Sequence, residues 1–158
     1  MKKTVQIIII LLVCLWIAPV FAQTPSPQSM EILRDAAKSN KKALVALNLK
    51  LTEFEGKAFW PIYERYQKDI AKVNERLINL INDYAKEYRE LSLNNKKAEQ
   101  LISDYMVIEE DLLKLNKSYL EKLRAVLPGM KVMIYFQIEN KIRAIKRFDG
   151  AVNIPLAE

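Results

Sequence analysis

The sequence contains no histidine and a single cysteine, at position 14. Histidine is the commonest general base and metal ligand, so its absence removes Ser-His and Cys-His nucleophile arrangements and most zinc sites. A glycine-rich phosphate loop and a nucleophile elbow are also missing. The sequence therefore predicts a protein that is not an enzyme and that holds neither a metal nor a cofactor.

Helix-breaking residues are scarce as well. Beyond residue 28 the chain has only three glycines, at 56, 129 and 150, and three prolines, at 61, 128 and 155. So few breakers over such a length favour long helices over a sheet, whose frequent turns need Gly and Pro. The predicted fold class is all-α, with a long antiparallel helical hairpin between shorter N- and C-terminal helices, bent and dimeric.

The first 22 residues have the pattern of a cleaved secretory signal peptide. Two lysines precede an apolar run over residues 5–17, and a small-x-small cleavage site follows at 20–22. The run of about 13 residues is short of the ~20 that span a bilayer as a helix. We therefore expect export to the bacterial periplasm; an uncleaved anchor and a lipid attached to Cys14 are the alternatives.

The chain after the signal peptide is predicted to form one domain. Residues 23–28, which contain two prolines, are expected to be a flexible lead-in, and residues 29–158 a single helical domain. Residues 23–158 carry 23 basic and 19 acidic side chains, a net charge of +4. This mild charge, in an exported protein, predicts no nucleic-acid partner and at most a weak attraction to anionic membrane surfaces.

Two long amphipathic helices dominate the pattern. The first begins at a capping box, in which the Thr52 hydroxyl accepts from the amide of Glu55 and the Glu55 carboxylate reaches back to the amide of Thr52. Apolar residues then recur at spacings of three and four as far as Leu91, and again over residues 98–127. Long helices joined by a short turn should lie antiparallel, as an αα-hairpin.

Shorter helical segments are expected on both sides of the hairpin. One begins at Ser29 and is interrupted at residues 39–40, and a second carries the apolar residues of 44–49. The last helix is expected to begin at Pro128, because proline suits the first position of a helix. It is expected to stop at residues 149–150.

Two segments resemble a known family motif. Leu51 to Glu55 (LTEFE) opens one helix, and Leu127 to Lys131 (LPGMK) opens a later one. Behind a signal peptide, this arrangement resembles the Spy/CpxP-like periplasmic proteins, whose mark is a repeated LTxxQ motif at helix starts. Glu55 and Lys131 stand where the family has Gln, and Pro128 where it has Thr. The runs at 58–66 and 136–141 resemble a particular, divergent branch of that family.

The resemblance implies bent helical hairpins that dimerise into a cradle. Some members of the family are ATP-independent chaperones, and others restrain envelope-stress sensor kinases or bind metal. We therefore expect a periplasmic chaperone-like or envelope-stress accessory protein that binds unfolded or partner proteins on a helical surface. The alternative is a regulatory partner that docks a single envelope sensor and has no general chaperone activity.

Four aromatic side chains within eight residues form the candidate binding site: Phe59, Trp60, Tyr63 and Tyr66. Aromatic residues at helical spacing usually belong to a core. Four aromatic side chains are more than the narrow contact line between two helices requires. We therefore expect Phe59 and Tyr66 to face the hairpin partner. Trp60 and Tyr63 should point to one side of that contact line, onto a client or dimer interface. Pro61 removes a backbone hydrogen bond inside the helix, which predicts either a local irregularity or a bend that gives the hairpin a concave face.

A run of three carboxylates, residues 109–111, is the one local cluster that suggests oxygen ligands for a metal. Consecutive helical positions point about 100° apart, so the three cannot converge on one ion by themselves. We expect them to form a solvated helix face.

Overall fold

The computed structural model describes residues 40–152 and 154–157. Within them the chain forms four α-helices and no strands: α1 (Lys41–Leu49), α2 (Glu53–Arg89), α3 (Asn95–Arg124) and α4 (Gly129–Ala151). The predicted all-α fold, a long hairpin between shorter helices, is confirmed. The predicted signal peptide 1–22, lead-in 23–28 and helical stretch from Ser29 lie outside the described residues. None of the described helices is both long enough and apolar enough to cross a membrane.

Side-chain caps set three of the four helix starts. Asn40 and Asn94 each accept a hydrogen bond at 3.0 Å from the amide three residues later, which satisfies a donor that the first turn leaves free. Thr52 caps α2 in the predicted capping box. Pro128 has no side-chain cap to offer and is the N-cap itself, so α4 begins one residue later than predicted.

Helix α2 continues without interruption through Pro61. Proline has no amide hydrogen, so the carbonyl of Lys57 loses its helical donor there. The side chain of Arg65 donates to the carbonyl oxygen of Pro61 at 3.1 Å. The bend predicted at this position stays a prediction.

The helix directions follow from the pairs of residues that meet. Arg76 on α2 pairs with Asp111 on α3 at 2.7 Å, and Glu87 pairs with Lys97 near the turn, so these helices are antiparallel. Helix α4 returns along α3 and is therefore parallel to α2. Helix α1 folds back at residues 50–52 and lies antiparallel to both, with Lys41 beside Glu139.

Helices α2 and α4 lie on a diagonal of the resulting bundle. No Cα atom of α2 comes within 8 Å of one of α4, whereas α3 approaches both helices and α1 approaches α4. Large side chains fill the space between the diagonal helices, and the largest fully buried rings are Phe59, Tyr66 and Tyr135. The core of this half of the molecule therefore depends on aromatic side chains from α2 and α4.

The other half of the hairpin has no such core. Helices α2 and α3 are described throughout, and neither buries a side chain on the turn side of Ile70 and Ile108. The C-terminal tail reaches this half, where the Tyr84 hydroxyl donates to the carbonyl of Pro155 at 2.8 Å. With few buried contacts, this half should open locally more easily than the core half.

The hairpin turn contains a leucine in a conformation that suits glycine. Leu91 has φ 51°, in the left-handed region, and 93% of its surface is exposed. Glu87 closes the turn: its carboxylate accepts from the Ser92 hydroxyl at 2.6 Å and pairs with Lys97 at 3.3 Å. A left-handed conformation costs a non-glycine residue roughly 1–2 kcal/mol, and the exposed Leu91 side chain recovers little of that by packing.

We predict that Leu91→Gly raises the free energy of unfolding. The free energy recovered by relieving the left-handed conformation is larger than the entropic cost of glycine, which has more freedom in the unfolded chain. The free energy of unfolding should therefore rise by about 0.5–1 kcal/mol. Glu90→Gly is the matched control, because Glu90 is exposed but has an ordinary φ of −83°. Urea unfolding of both variants should show a gain for the first and a loss for the second. A loss for both would refute the strain at Leu91.

Candidate functional site

The aromatic cluster predicted as a binding site lies largely in the core. Phe59 and Tyr66 are fully buried: Tyr66 packs on Tyr119 of the hairpin partner α3, as expected, whereas Phe59 packs on Tyr135 of α4. The expectation that Tyr63 points to one side of the contact line is wrong: it is 4% exposed, because its ring packs edge-to-face with Trp60 and Tyr135. Trp60 is half-buried against the core. Three of the four rings therefore cannot touch a client in this state.

The buried phenol groups act as hydrogen-bond donors between helices. The Tyr66 hydroxyl donates to the Asn116 amide oxygen at 2.8 Å and accepts from Arg143 at 3.3 Å. The Tyr119 hydroxyl donates to the Asp69 carboxylate at 2.7 Å. Burial is the main cause that raises the pKa of both Tyr66 and Tyr119 to about 12. Both phenols therefore stay protonated near neutral pH and join α2 to α3 and α4.

A buried carboxylate lies where α1, α2 and α4 meet. Glu139 is 3% exposed and is the only buried charged side chain in the described part of the chain. It accepts from the Lys41 ammonium at 2.7 Å and from the Gln67 amide at 2.9 Å. The Gln67 oxygen accepts from Lys41 at 2.7 Å, and the Gln67 amide reaches the Tyr135 hydroxyl at 3.3 Å. We call these four residues the Glu139 node.

The electrostatics of the Glu139 node favour a structural role over a reactive one. A buried carboxylate without a partner is strongly destabilising, and here a cation and an amide both satisfy it. Burial lowers the pKa of Lys41, and the adjacent Glu139 carboxylate opposes that shift. Burial, followed by the Glu139 charge, raises the pKa of Tyr135. The four residues of the node are thus linked by hydrogen bonds that join α1, α2 and α4.

Glu139 did not stand out in the sequence reasoning, although the sequence contains a signal for it. Charged residues are rarely buried unless they are paired, so a carboxylate on an apolar stripe is informative. Glu139 falls on the stripe of α4 whose other buried members are Val132, Tyr135, Ile138, Ile142 and Ile145. Its partner Lys41 lies 98 residues away, and helical periodicity cannot predict such a pairing.

The two motif segments bind each other through their last residues. The Thr52 hydroxyl accepts from the Glu55 amide at 3.2 Å, and the Glu55 carboxylate accepts from the Thr52 amide at 2.8 Å. The same carboxylate pairs with the ammonium of Lys131 at 2.6 Å, which also donates to the Lys50 carbonyl at 3.1 Å. The Lys131 ammonium, and next the capping amide, lower the pKa of Glu55. The two departures from Gln are thus complementary charges in contact.

The other motif residues contribute packing. Leu51 packs against the core cluster, and Leu127 is 6% exposed within it. Pro128 ends the short turn after α3 and starts α4 without a side-chain hydrogen bond. The motif segments therefore hold the starts of α2 and α4 together, and they form no open site.

The carboxylates of residues 109–111 point in three directions, as the helical geometry requires. Glu109 binds Arg147 of α4, and Asp111 binds Arg76 of α2, whose guanidinium lowers the pKa of that carboxyl. Glu110 pairs within α3. The expectation that these carboxylates form a solvated face is therefore only partly right, because Glu109 and Asp111 each form an ion pair with a neighbouring helix. Over the described ranges no group of three or more His, Cys, Asp or Glu residues is placed to hold a metal ion.

Exposed apolar side chains gather instead on one side of α3, in the half of the hairpin nearer the turn and just beyond it. Ile102, Met106 and Leu113 are each more than half exposed, and Tyr105 is 38% exposed. Their spacing places them within about 100° of the helix circumference. We call these four residues the α3 stripe. By the same spacing Glu109, which binds Arg147 of α4, lies between Met106 and Leu113, so the stripe is a largely exposed apolar surface crossed by one ion pair.

A cleft of about 590 Å³ lies between α1 and α2, where the exposed part of Trp60 forms one wall. Ala46 of α1, Gly56 and Pro61 of α2 line it as well. The ammonium of Lys42 lies 5.2 Å from the centre of the indole ring, within range of a cation–π contact. Trp60 is therefore the one member of the aromatic cluster that borders an open surface.

No family model, curated protein or solved structure matches this chain. The resemblance to the Spy/CpxP-like proteins stays a prediction that rests on the motif segments and the helix pattern. The predicted dimer and the predicted export stay predictions in the same way.

We predict that Lys131→Met lowers the free energy of unfolding at neutral pH and that most of this loss disappears under acid conditions. The folded-state pKa of Glu55 is lowered, so its stabilisation is present above the unfolded-state value and is lost as pH falls through the folded-state value. Urea unfolding at pH 7 and pH 3 measures the difference. Lys57→Met, which removes an exposed pair with Glu53, should change stability little at either pH. An equal loss at both pH values would contradict the Glu55 contact.

Proposed function

We propose that the protein is exported to the periplasm and acts there as an ATP-independent chaperone-like or envelope-stress accessory protein. It would bind unfolded or partner proteins on a helical surface. The observation that carries this proposal is the α3 stripe, an exposed apolar surface on the least tightly packed half of the hairpin. The client surface proposed here is thus the stripe, in place of the aromatic cluster, because burial closes that cluster.

The composition of the α3 stripe suits weak and unspecific binding. Apolar contact is non-directional and contributes roughly 25 cal/mol per Å² buried, so four partly exposed side chains give modest affinity for many sequences. Met106 adds a flexible, polarizable side chain of the kind found on promiscuous binding surfaces. Glu110 and Lys117 flank the stripe with opposite charges. Such a surface needs no nucleotide to bind or release an unfolded chain.

The packing of the hairpin also supports a binding role. Its core half is braced by aromatic rings and by polar contacts that run between helices. Its other half lacks buried side chains, so the helices there can shift to fit different clients at little cost in core packing. A hairpin with one tightly packed half and one loosely packed half is suited to binding many different partners on the loosely packed half.

We predict that residues 23–158 slow the aggregation of a reduced, unfolded model protein without ATP, and that the stripe is responsible. Ile102→Glu with Met106→Glu should remove most of the protection, since two charges disrupt the apolar contact. Val107→Glu is the matched control: Val107 is 46% exposed but lies about 140° around α3 from Ile102. Light scattering of the model protein at equimolar ratio measures protection, and circular dichroism checks helicity.

Equal protection by the double variant and the Val107→Glu control would remove the stripe from the mechanism. Failure of the unmodified protein to protect several aggregating proteins would refute the chaperone proposal. Cross-linking in periplasmic extract then distinguishes a protein that binds many clients from a regulator that docks a single sensor. One partner captured in a fixed ratio would favour the regulator.

A further inference from the structure

We propose that α1 is exchangeable between two copies of this chain, so that α1 of one copy fills the groove between α2 and α4 of the other. The product is a domain-swapped dimer in which the contacts of α1 with α2 and α4 form between the two copies. The proposal concerns assembly and does not depend on the client-binding function.

The contacts of α1 are made almost entirely with distant parts of the chain. Val45 and Leu49 are its fully buried side chains, and they join the same core cluster as the rings of α2 and α4. Lys41 binds Glu139 and Gln67, and Lys42 binds Glu64. None of these partners belongs to the connection between α1 and α2. A second copy of α1 therefore forms all of them without any new interface chemistry.

The groove is selective about what occupies it. Glu139 is buried at its edge, so an occupant that brings no cation leaves a buried carboxylate without its ion pair. The floor accepts the side chains of a valine and a leucine one turn apart. A helix that carries an ammonium group one turn before those two side chains meets both requirements, and α1 of a second copy is such a helix.

The connection between α1 and α2 is a bend that the local sequence marks only by the capping box at Thr52. Residues 41–55 contain neither glycine nor proline, so no helix-breaking residue in them prevents one continuous helix. The bend instead places Lys50 at φ 44°, a left-handed conformation that is unfavourable for a lysine. A straight connection would remove that strain and carry α1 away from its own groove. The capping box of Thr52 and the contact of Lys131 with the Lys50 carbonyl oppose the change.

The packing around the bend leaves room for α1 to move. Helix α1 approaches α4 closely but leaves the cleft of about 590 Å³ against α2, beside the bend. Separation of α1 from the body breaks the packing of Val45 and Leu49 in the core and the polar contacts of Lys41 and Lys42 with α2 and α4. A short helix with two fully buried residues, a bend without a breaker and a strained hinge residue together make α1 the element best suited to exchange.

Cross-linking between two different single-cysteine variants tests the exchange, because residues 23–158 contain no cysteine. Lys42→Cys and Glu64→Cys place one thiol on α1 and one on α2, at positions that form an exposed ion pair. The two variants, with tags of different mass, are unfolded together in urea, refolded and treated with a short bismaleimide. We expect a covalent heterodimer. Arg76→Cys with Asp111→Cys is the matched control within the α2–α3 hairpin, and should give none.

Substitution of Lys50 tests the hinge itself. Lys50→Ala favours the continuous helix, and Lys50→Gly favours the left-handed bend, so the swapped fraction should follow the order Ala, Lys, Gly. The Lys42–Glu64 heterodimer yield in each background measures that fraction, with several-fold more dimer expected for Ala than for Gly. Heterodimer no more abundant than in the Arg76–Asp111 control, or yields that do not change across the three residues at position 50, would overturn the proposal.

Discussion

The need to satisfy one buried carboxylate constrains the arrangement of three helices. Glu139 of α4 lies out of reach of water, and its ionised form is tolerable there only with a cation and hydrogen-bond donors beside it. Lys41 of α1 and Gln67 of α2 supply them. Because each of these side chains comes from a different helix, a shift in the register of any one helix would leave the carboxylate without a partner. The same contacts close the groove in which α1 lies.

The rest of the molecule is arranged around that node. Helices α2 and α4 stay far enough apart for the node and a set of aromatic rings to lie between them. At one end, the paired charges of Glu55 and Lys131 align the starts of the two helices. Towards the other end these contacts stop, and the hairpin continues without a buried core, with the α3 stripe beginning beside its last buried residues. The packed half thus positions a half that carries most of the exposed α3 stripe, and this division is the physical basis of the proposed binding function.

Periodicity and capping residues were sufficient to predict the elements of the fold. The hairpin and the capping box at Thr52 follow from local sequence, because helix starts and apolar stripes depend on residues within a few positions of one another. The site was less predictable. Tyr63 is buried because α4 brings Tyr135 against it, and Glu139 is satisfied because α1 folds back, and both facts depend on pairings across 70 residues or more. Spacing along one helix cannot distinguish a ring that faces a partner helix from one that faces a client.

A double-mutant cycle on Lys41 and Glu139 tests the central claim most directly, with Lys41→Met, Glu139→Gln and the double variant compared by urea unfolding. Each single change should lower the free energy of unfolding by about 2–4 kcal/mol, because it leaves one member of a largely buried ion pair without its partner. The double variant should lose at least ~1 kcal/mol less than the sum of the two, as contacting residues do. Additive losses within ~0.5 kcal/mol would show that the two side chains do not depend on each other and would contradict the account of the fold.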